Sequence, residues 1–140
     1  MNKEQLMQTV SGLALVVEDD AKMRKIVRGC LERIGLQVID VGDGRSAIRK
    51  LAEQPPDIVC LDLMLPELSG YEICEIIRAS ATLKHIPVLV MSARASPADR
   101  ANAEKAGASA YLIKPFTIAD LSSKVRSLLK ATSTLEANLR

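Results

Sequence analysis

The stretch Ile58-Val59-Cys60-Leu61-Asp62-Leu63-Met64-Leu65-Pro66 decides the fold. Ile58 to Leu61 is apolar at every position, and a short run that does not alternate reads as a strand covered on both faces. Four more short, nearly continuous apolar runs recur along the chain: Ala14 to Val17, Gln37 to Val41, Val88 to Met91 and Ala110 to Ile113. The stretches between them carry helical periodicity. Met23, Val27, Cys30, Leu31 and Ile34 fall on one stripe, and Gly35 stands where a helix ends. A second helix is expected from about Arg45 to Glu53, stopped by Pro55-Pro56. A third follows Ser69-Gly70 and carries Ile73, Cys74, Ile76 and Ile77. A fourth opens with Ser96 as N-cap and Pro97 as its first residue and ends at Gly107. A fifth begins near Thr117 and carries Leu121, Val125, Leu128 and Leu129. Strand and helix alternate five times. That implies an α/β fold, a doubly wound five-stranded parallel sheet with helices on both faces and right-handed crossovers.

The remaining arithmetic narrows the function. The 140 residues amount to one domain, and 48% apolar content suffices for a core, which must be aliphatic because aromatics are only 2%. Lys and Arg number 19 against 17 Asp and Glu, a net charge of +2, too small for a general attraction to nucleic acid or membrane. The longest apolar stretches are strand-sized, so no membrane span is expected, and Met1 to Gly12 lacks a signal-peptide core. Cys30, Cys60 and Cys74 read as small buried hydrophobes in a reducing compartment, which makes the cytoplasm the expected location. Residues 1–12 read as a short N-terminal extension, 13–130 as the domain, and 131–140 as a tail or the start of a linker helix. Leu121, Val125, Leu128, Thr132, Leu135 and Leu139 are spaced like a heptad seam that would pair with a second chain. Against it, Ala131 to Thr134 holds two Thr and a Ser, poor helix formers, so a frayed tail is an equal expectation. Within the 140 residues no winged-helix, cyclase or kinase output domain is expected.

In a doubly wound sheet, ligands bind outside the carboxyl ends of the strands. The first run ends in Glu18-Asp19-Asp20, the third in Asp62, the fourth in Ser92-Ala93 and the fifth in Lys114-Pro115. Glu18, Asp19 and Asp62 would converge, and three carboxylates in one cleft call for a cation. Mg²⁺ fits best, since it takes a few carboxylate oxygens and accepts phosphate oxygens as further ligands; the absence of His or Cys at these ends argues against zinc. Lys114 and Ser92 beside such a centre make a place for a phosphoryl group. Asp62, alone on a central strand with in-line approach open, is the candidate nucleophile for an acyl phosphate. Asp20 reads as a helix cap. Each feature has a bland reading on its own; four in this order do not.

These segments resemble a known family. Val16-Val17-Glu18-Asp19-Asp20, Leu61-Asp62-Leu63-Met64-Leu65-Pro66 with Gly70, Met91-Ser92-Ala93, Gly107-Ala108 and Lys114-Pro115-Phe116 are similar to the motifs of bacterial two-component response-regulator receiver domains, over roughly residues 13 to 130. The resemblance implies a flavodoxin-like strand order 2-1-3-4-5. It implies Asp62 as phosphoacceptor, Glu18 and Asp19 as the metal-binding acidic pair, and the Met64 backbone carbonyl as a further ligand of Mg²⁺ (or Mn²⁺). It implies Lys114 as the phosphate-pairing lysine before a cis proline, and Ser92 and Tyr111 as the switch pair. Met64 and Arg94 would flank the water that ends the life of the phosphoryl group. The chain would then be no enzyme but a switch that assists its own phosphorylation and dephosphorylation. Its donor would be a sensor histidine kinase or phosphotransfer protein. Its target would be an output protein or domain reached through the face of the fourth helix, fifth strand and fifth helix, a face that also offers a route to homodimers. His85, in a polar loop, reads as a surface residue and not as a donor.

Other classes weigh less. A Mg²⁺-dependent aspartyl-phosphate phosphatase would carry a second Asp at the position of Met64. A flavodoxin-like electron carrier would need a phosphate-binding loop where Glu18-Asp19-Asp20 stands. A phosphorylation-independent interaction module would not need the complete site. The basic residues of the first helix (Lys22, Arg24, Lys25, Arg28 and Arg33) read either as a solvated face or as a kinase-docking face.

Overall fold

The computed structural model describes residues 10–138. Strands β1 (Leu13–Val17), β2 (Gln37–Val41), β3 (Ile58–Asp62), β4 (Val88–Ser92) and β5 (Ala110–Ile113) alternate with helices α1 (Ala21–Arg33), α2 (Gly44–Glu53), α3 (Gly70–Ala79), α4 (Pro97–Ala106) and α5 (Ile118–Asn138). Neighbouring strands pair in parallel in the order β2-β1-β3-β4-β5. The fold is therefore the flavodoxin-like one that the alternation and the resemblance implied. The three inner strands are buried along almost their whole length, whereas β2 and β5 at the edges are only partly so. Successive residues of each strand feed opposite faces. Val59 and Leu61 join Ile73 and Ile77 of α3 on one side; Ile58 and Cys60 join Leu31 of α1 and Leu121 of α5 on the other. The three cysteines are buried and unpaired. Among the described residues no helix is long and apolar enough to cross a membrane.

The helix starts follow from local chemistry. Asp20, Asp43, Ser69 and Ser96 each turn a side-chain oxygen back to an amide of the first turn, satisfying donors that have no partner within the helix. With Asp43 as cap, α2 starts at Gly44, one residue before the expected Arg45. Gly44 suits that position because a Cβ there would lie 2.8 Å from the Leu68 Cβ.

Helix α5 extends into the segment for which a frayed tail and a linker helix are equal expectations. It runs unbroken through Ala131 to Thr134, and the Thr132 hydroxyl donates to the Leu128 carbonyl at 3.0 Å, so the hydroxyl stays within the helix. Leu121 and Val125 are fully buried in the core, which takes the first two positions of the heptad-like seam out of reach of a second chain. Leu139, the side chain of Leu135 and the first nine residues of the expected N-terminal extension lie outside the described residues.

Two arginines cross-link elements. Arg78 of α3 donates from Nε to the Gly107 carbonyl at 2.9 Å, from Nη1 to the Lys84 and Ile86 carbonyls at 2.8 and 2.7 Å, and from Nη2 to the Ser109 hydroxyl at 3.1 Å. It thus ties the C-terminal end of α4 to the segment entering β4. On α1 the basic face divides. Arg28 pairs with Asp40 of β2 at 3.0 Å, and Arg24 approaches the same carboxylate at 3.7 Å; Lys22, Lys25 and Arg33 remain exposed.

Candidate functional site

The carboxyl ends of β1, β3, β4 and β5 open onto one edge of the sheet, and four of the expected residues meet there. Glu18 follows β1 and Asp62 ends β3; both are buried, at 0% and 5% exposure, while Asp19 is exposed. Lys114, directly after β5, places its Nζ 2.5 Å from Glu18 Oε1 and 3.0 Å from Asp62 Oδ2. One ammonium thus bridges two carboxylates brought in by different strands. The other Asp62 oxygen accepts the Met64 backbone N–H at 2.9 Å. One carboxylate oxygen from each of Glu18, Asp19 and Asp62 lies within 4.8 Å of the others.

The backbone around these groups is tightly constrained. The Glu18 N–H donates to the Val41 carbonyl at 3.1 Å, extending the β1–β2 pairing by one step. Its carboxylate accepts the Asp20 N–H at 3.3 Å. Gly70 opens α3 directly against β3: a Cβ there would stand 2.5 Å from the Asp62 carbonyl oxygen and 2.7 Å from the Leu63 Cα, so only glycine lets the helix begin so close. The Lys114–Pro115 peptide is cis, and the Lys114 N–H donates to the Ser92 carbonyl at 2.8 Å, which holds the lysine over the cleft.

Electrostatics follow from this crowding. Two full charges about 5 Å apart near a protein surface repel by roughly 3 kcal/mol. Burial pushes the Glu18 carboxyl up to about 7; the Lys114 ammonium opposes this and the Asp62 carboxylate adds to it. Burial works against the Lys114 charge, but hydrogen bonds to Glu18 and Asp62 outweigh it and hold its pKa above the ordinary value. The donor set is all oxygen, three carboxylates at one mouth, which suits a hard divalent cation that keeps part of its water shell.

The remaining expected residues form a second layer. Ser92 is fully buried and its Oγ accepts the Arg94 N–H at 3.1 Å. Tyr111, on edge strand β5, is half-buried; its hydroxyl donates to the Arg94 carbonyl at 2.8 Å and its ring lies 5.6 Å from the Arg100 guanidinium. The Arg94 side chain is half exposed and lies 3.6 Å from Asp99, and Met64 is 51% exposed. One expectation needs adjusting: the Asp62 side chain keeps only 7% of its surface open, a narrower approach than a strand end alone suggests. His85 is exposed, as expected.

Sequence reasoning missed Arg24 as part of this site. Its Nη1 donates to the Glu18 carbonyl at 2.8 Å. The available signal was that Arg24 and Arg28 stand four apart and so share a helix face that β2 can reach.

Comparison with known proteins agrees with the geometry. A family model described as "Response regulator receiver domain" matches residues 14–126. The chain is 40% identical over 119 residues to the response regulator MprA of Mycolicibacterium vanbaalenii, covering 85% of this chain and 51% of that protein. It is 35% identical over 119 residues to the probable transcriptional regulator ycf27 of Guillardia theta, covering 85% and 46%. The chain spans about half the length of these curated relatives. Among solved structures, the receiver domain of Francisella response regulator 1452 superposes with a TM-score of 0.80 at 30% identity, covering 86% of this chain and 98% of that one.

Proposed function

Because the chain belongs to the response-regulator receiver family, we propose that it is a phosphorylation-controlled switch in a two-component phosphorelay, with Asp62 as the phosphoacceptor. The observation that carries this reading is the shared ammonium: Lys114 stands on an Asp62 oxygen at the end of a buried central strand, with Glu18 and Asp19 at the same mouth. A carboxylate held there attacks the phosphorus of a phosphohistidine on a sensor kinase or phosphotransfer protein. A P–O bond forms on Asp62, the P–N bond breaks, and the histidine leaves with the electron pair. Lys114 then offsets charge on the phosphoryl oxygens.

Glu18, Asp19 and Asp62, with the Met64 carbonyl, would hold Mg²⁺ or Mn²⁺. When bound, the cation supplies charge compensation for the transferring group. Ser92 and Tyr111 relay the change to the face made by α4, β5 and α5, where an output protein or domain is engaged. Arg94 and Met64 set the lifetime of the phosphoryl group. The chain is thus a switch rather than an enzyme with a separate substrate. The partner kinase meets α1, whose Lys22, Lys25 and Ile26 are exposed. Three buried free cysteines support a cytoplasmic location.

The test is incubation with acetyl phosphate and Mg²⁺, or with beryllofluoride and Mg²⁺, read by intact mass and by spectral shift. A mass increase that disappears in Asp62→Ala is expected. A chain that stays unmodified with ample donor and metal would instead be a phosphorylation-independent module of the same fold.

A further inference from the structure

Arg24 sits one turn into α1, and its guanidinium folds back over the start of its own helix. Nη1 donates to the Glu18 carbonyl at 2.8 Å, and Nε faces Asp40 Oδ1 at 3.7 Å. Asp40 is itself steadied by Arg28 at 3.0 Å. Glu18 is therefore gripped on both backbone groups, its N–H by Val41 and its carbonyl by Arg24. A peptide unit is planar, so fixing the Glu18 oxygen also fixes the Asp19 N–H and the position of the Asp19 Cα from which its side chain departs. Both residues belong to the acidic cluster, whose members repel one another and would otherwise spread this short loop. The chain leaves space for the grip: a Cβ on Gly42 would lie 3.0 Å from Arg24 Nη1.

We propose that Arg24 is a positioning residue for the metal centre: braced on Asp40, it clamps the Glu18–Asp19 peptide and so holds the two carboxylates in ligating geometry without touching the cation. The proposal rests on reading Glu18, Asp19 and Asp62 as a divalent-cation centre. It also removes Arg24 from the surface offered to a kinase, because its guanidinium is already engaged. Partners of metal ligands typically change affinity by about 10- to 100-fold when removed.

The experiment is Mg²⁺ titration of the full chain by calorimetry, repeated with Mn²⁺ by electron paramagnetic resonance. Circular dichroism in chelator establishes that each variant is folded at the working temperature. Arg24→Ala should weaken binding roughly tenfold. Arg24→Lys, which can still donate to the carbonyl but cannot bridge to Asp40, should restore part of the loss. Gly42→Ala keeps every charge and only crowds the guanidinium; it should also weaken binding, and it carries the test should Arg24→Ala fail to fold. A folded Arg24→Ala or Gly42→Ala with wild-type affinity overturns the role of Arg24 and leaves the metal centre standing. A wild-type protein that binds neither ion overturns the metal centre itself, and the clamp with it.

Discussion

At the scale of single residues, the polar ends of the apolar runs mark Glu18, Asp19, Asp62, Ser92 and Lys114, because a strand buried on both faces has only its end in which to present a charge. What they do not mark is the support around them. Arg24 looks like any other member of a basic helix face until β2 is known to bring Asp40 beneath it. Burial of Glu18 has a consequence for pH. Its pKa lies near 4.5 when unfolded and is raised to about 7 when folded, so between those values the folded state binds more protons. Stability of the metal-free protein should therefore fall as pH rises through that window, by at most about 3 kcal/mol, and stay reduced above it. Asp43 and Asp99 are shifted downward by their helix-cap hydrogen bonds and act below this range. Urea unfolding in chelator should give a higher midpoint at pH 5 than at pH 7.5, and Glu18→Gln should flatten the difference; an undiminished difference in that variant would refute the assignment. At Met64, a thioether beside the mouth offers no donor and only a weak acceptor to orient an incoming water. Met64→Asn adds a donor, and a net hydrogen bond of about 1 kcal/mol corresponds to roughly fivefold faster loss of the phosphoryl group. Unchanged or slower decay of the phosphoprotein would count against it.

At the scale of elements, helix starts and stops were readable wherever a cap residue announces them, as at Ser96-Pro97 and Gly107. The continuation of α5 is open in the sequence, because the heptad spacing favours it and propensity weighs against Thr and Ser, while the Thr132 back-bond to Leu128 is a property of the finished helix. Helix α4 stands apart from its neighbours. Its only buried side chains are those of Ala103 and Ala106, whereas α1 buries Val27, Cys30 and Leu31. So little covered area leaves few contacts to lose on opening, and α4 should be the least protected of the five helices in hydrogen exchange. Protection equal to that of α1 would contradict this. Its C-terminal turn is the exception. Gly107 has φ +117°, and a Cβ there would fall 2.4 Å from the Arg78 Cγ. Gly107→Ala should cost about 1–3 kcal/mol in chemical denaturation, and a neutral result would mean that neither the left-handed backbone nor Arg78 resists a side chain there.

At the scale of the molecule, parallel topology follows from the fivefold alternation, since strands that are separated by helices and hidden on both sides have few other arrangements. Strand order does not follow from periodicity; it came with the family motifs, and the parallel pairing of β1 with both β2 and β3 bears it out. The same topology sets Arg78 at a corner where α3, the approach to β4 and the α4–β5 turn converge. That corner works like a nail through one end of a plank. With α4 moored at Gly107 and held at its other end by the Tyr111 hydroxyl on the Arg94 carbonyl, the Arg94–Asp99 ion pair and Arg100 beside the Tyr111 ring, a disturbance arriving from Ser92 would swing the helix instead of sliding it. A spin label at Ala98 should then travel farther than one at Lys105 when the cleft is loaded, and equal travel at both would mean that the nail does not hold.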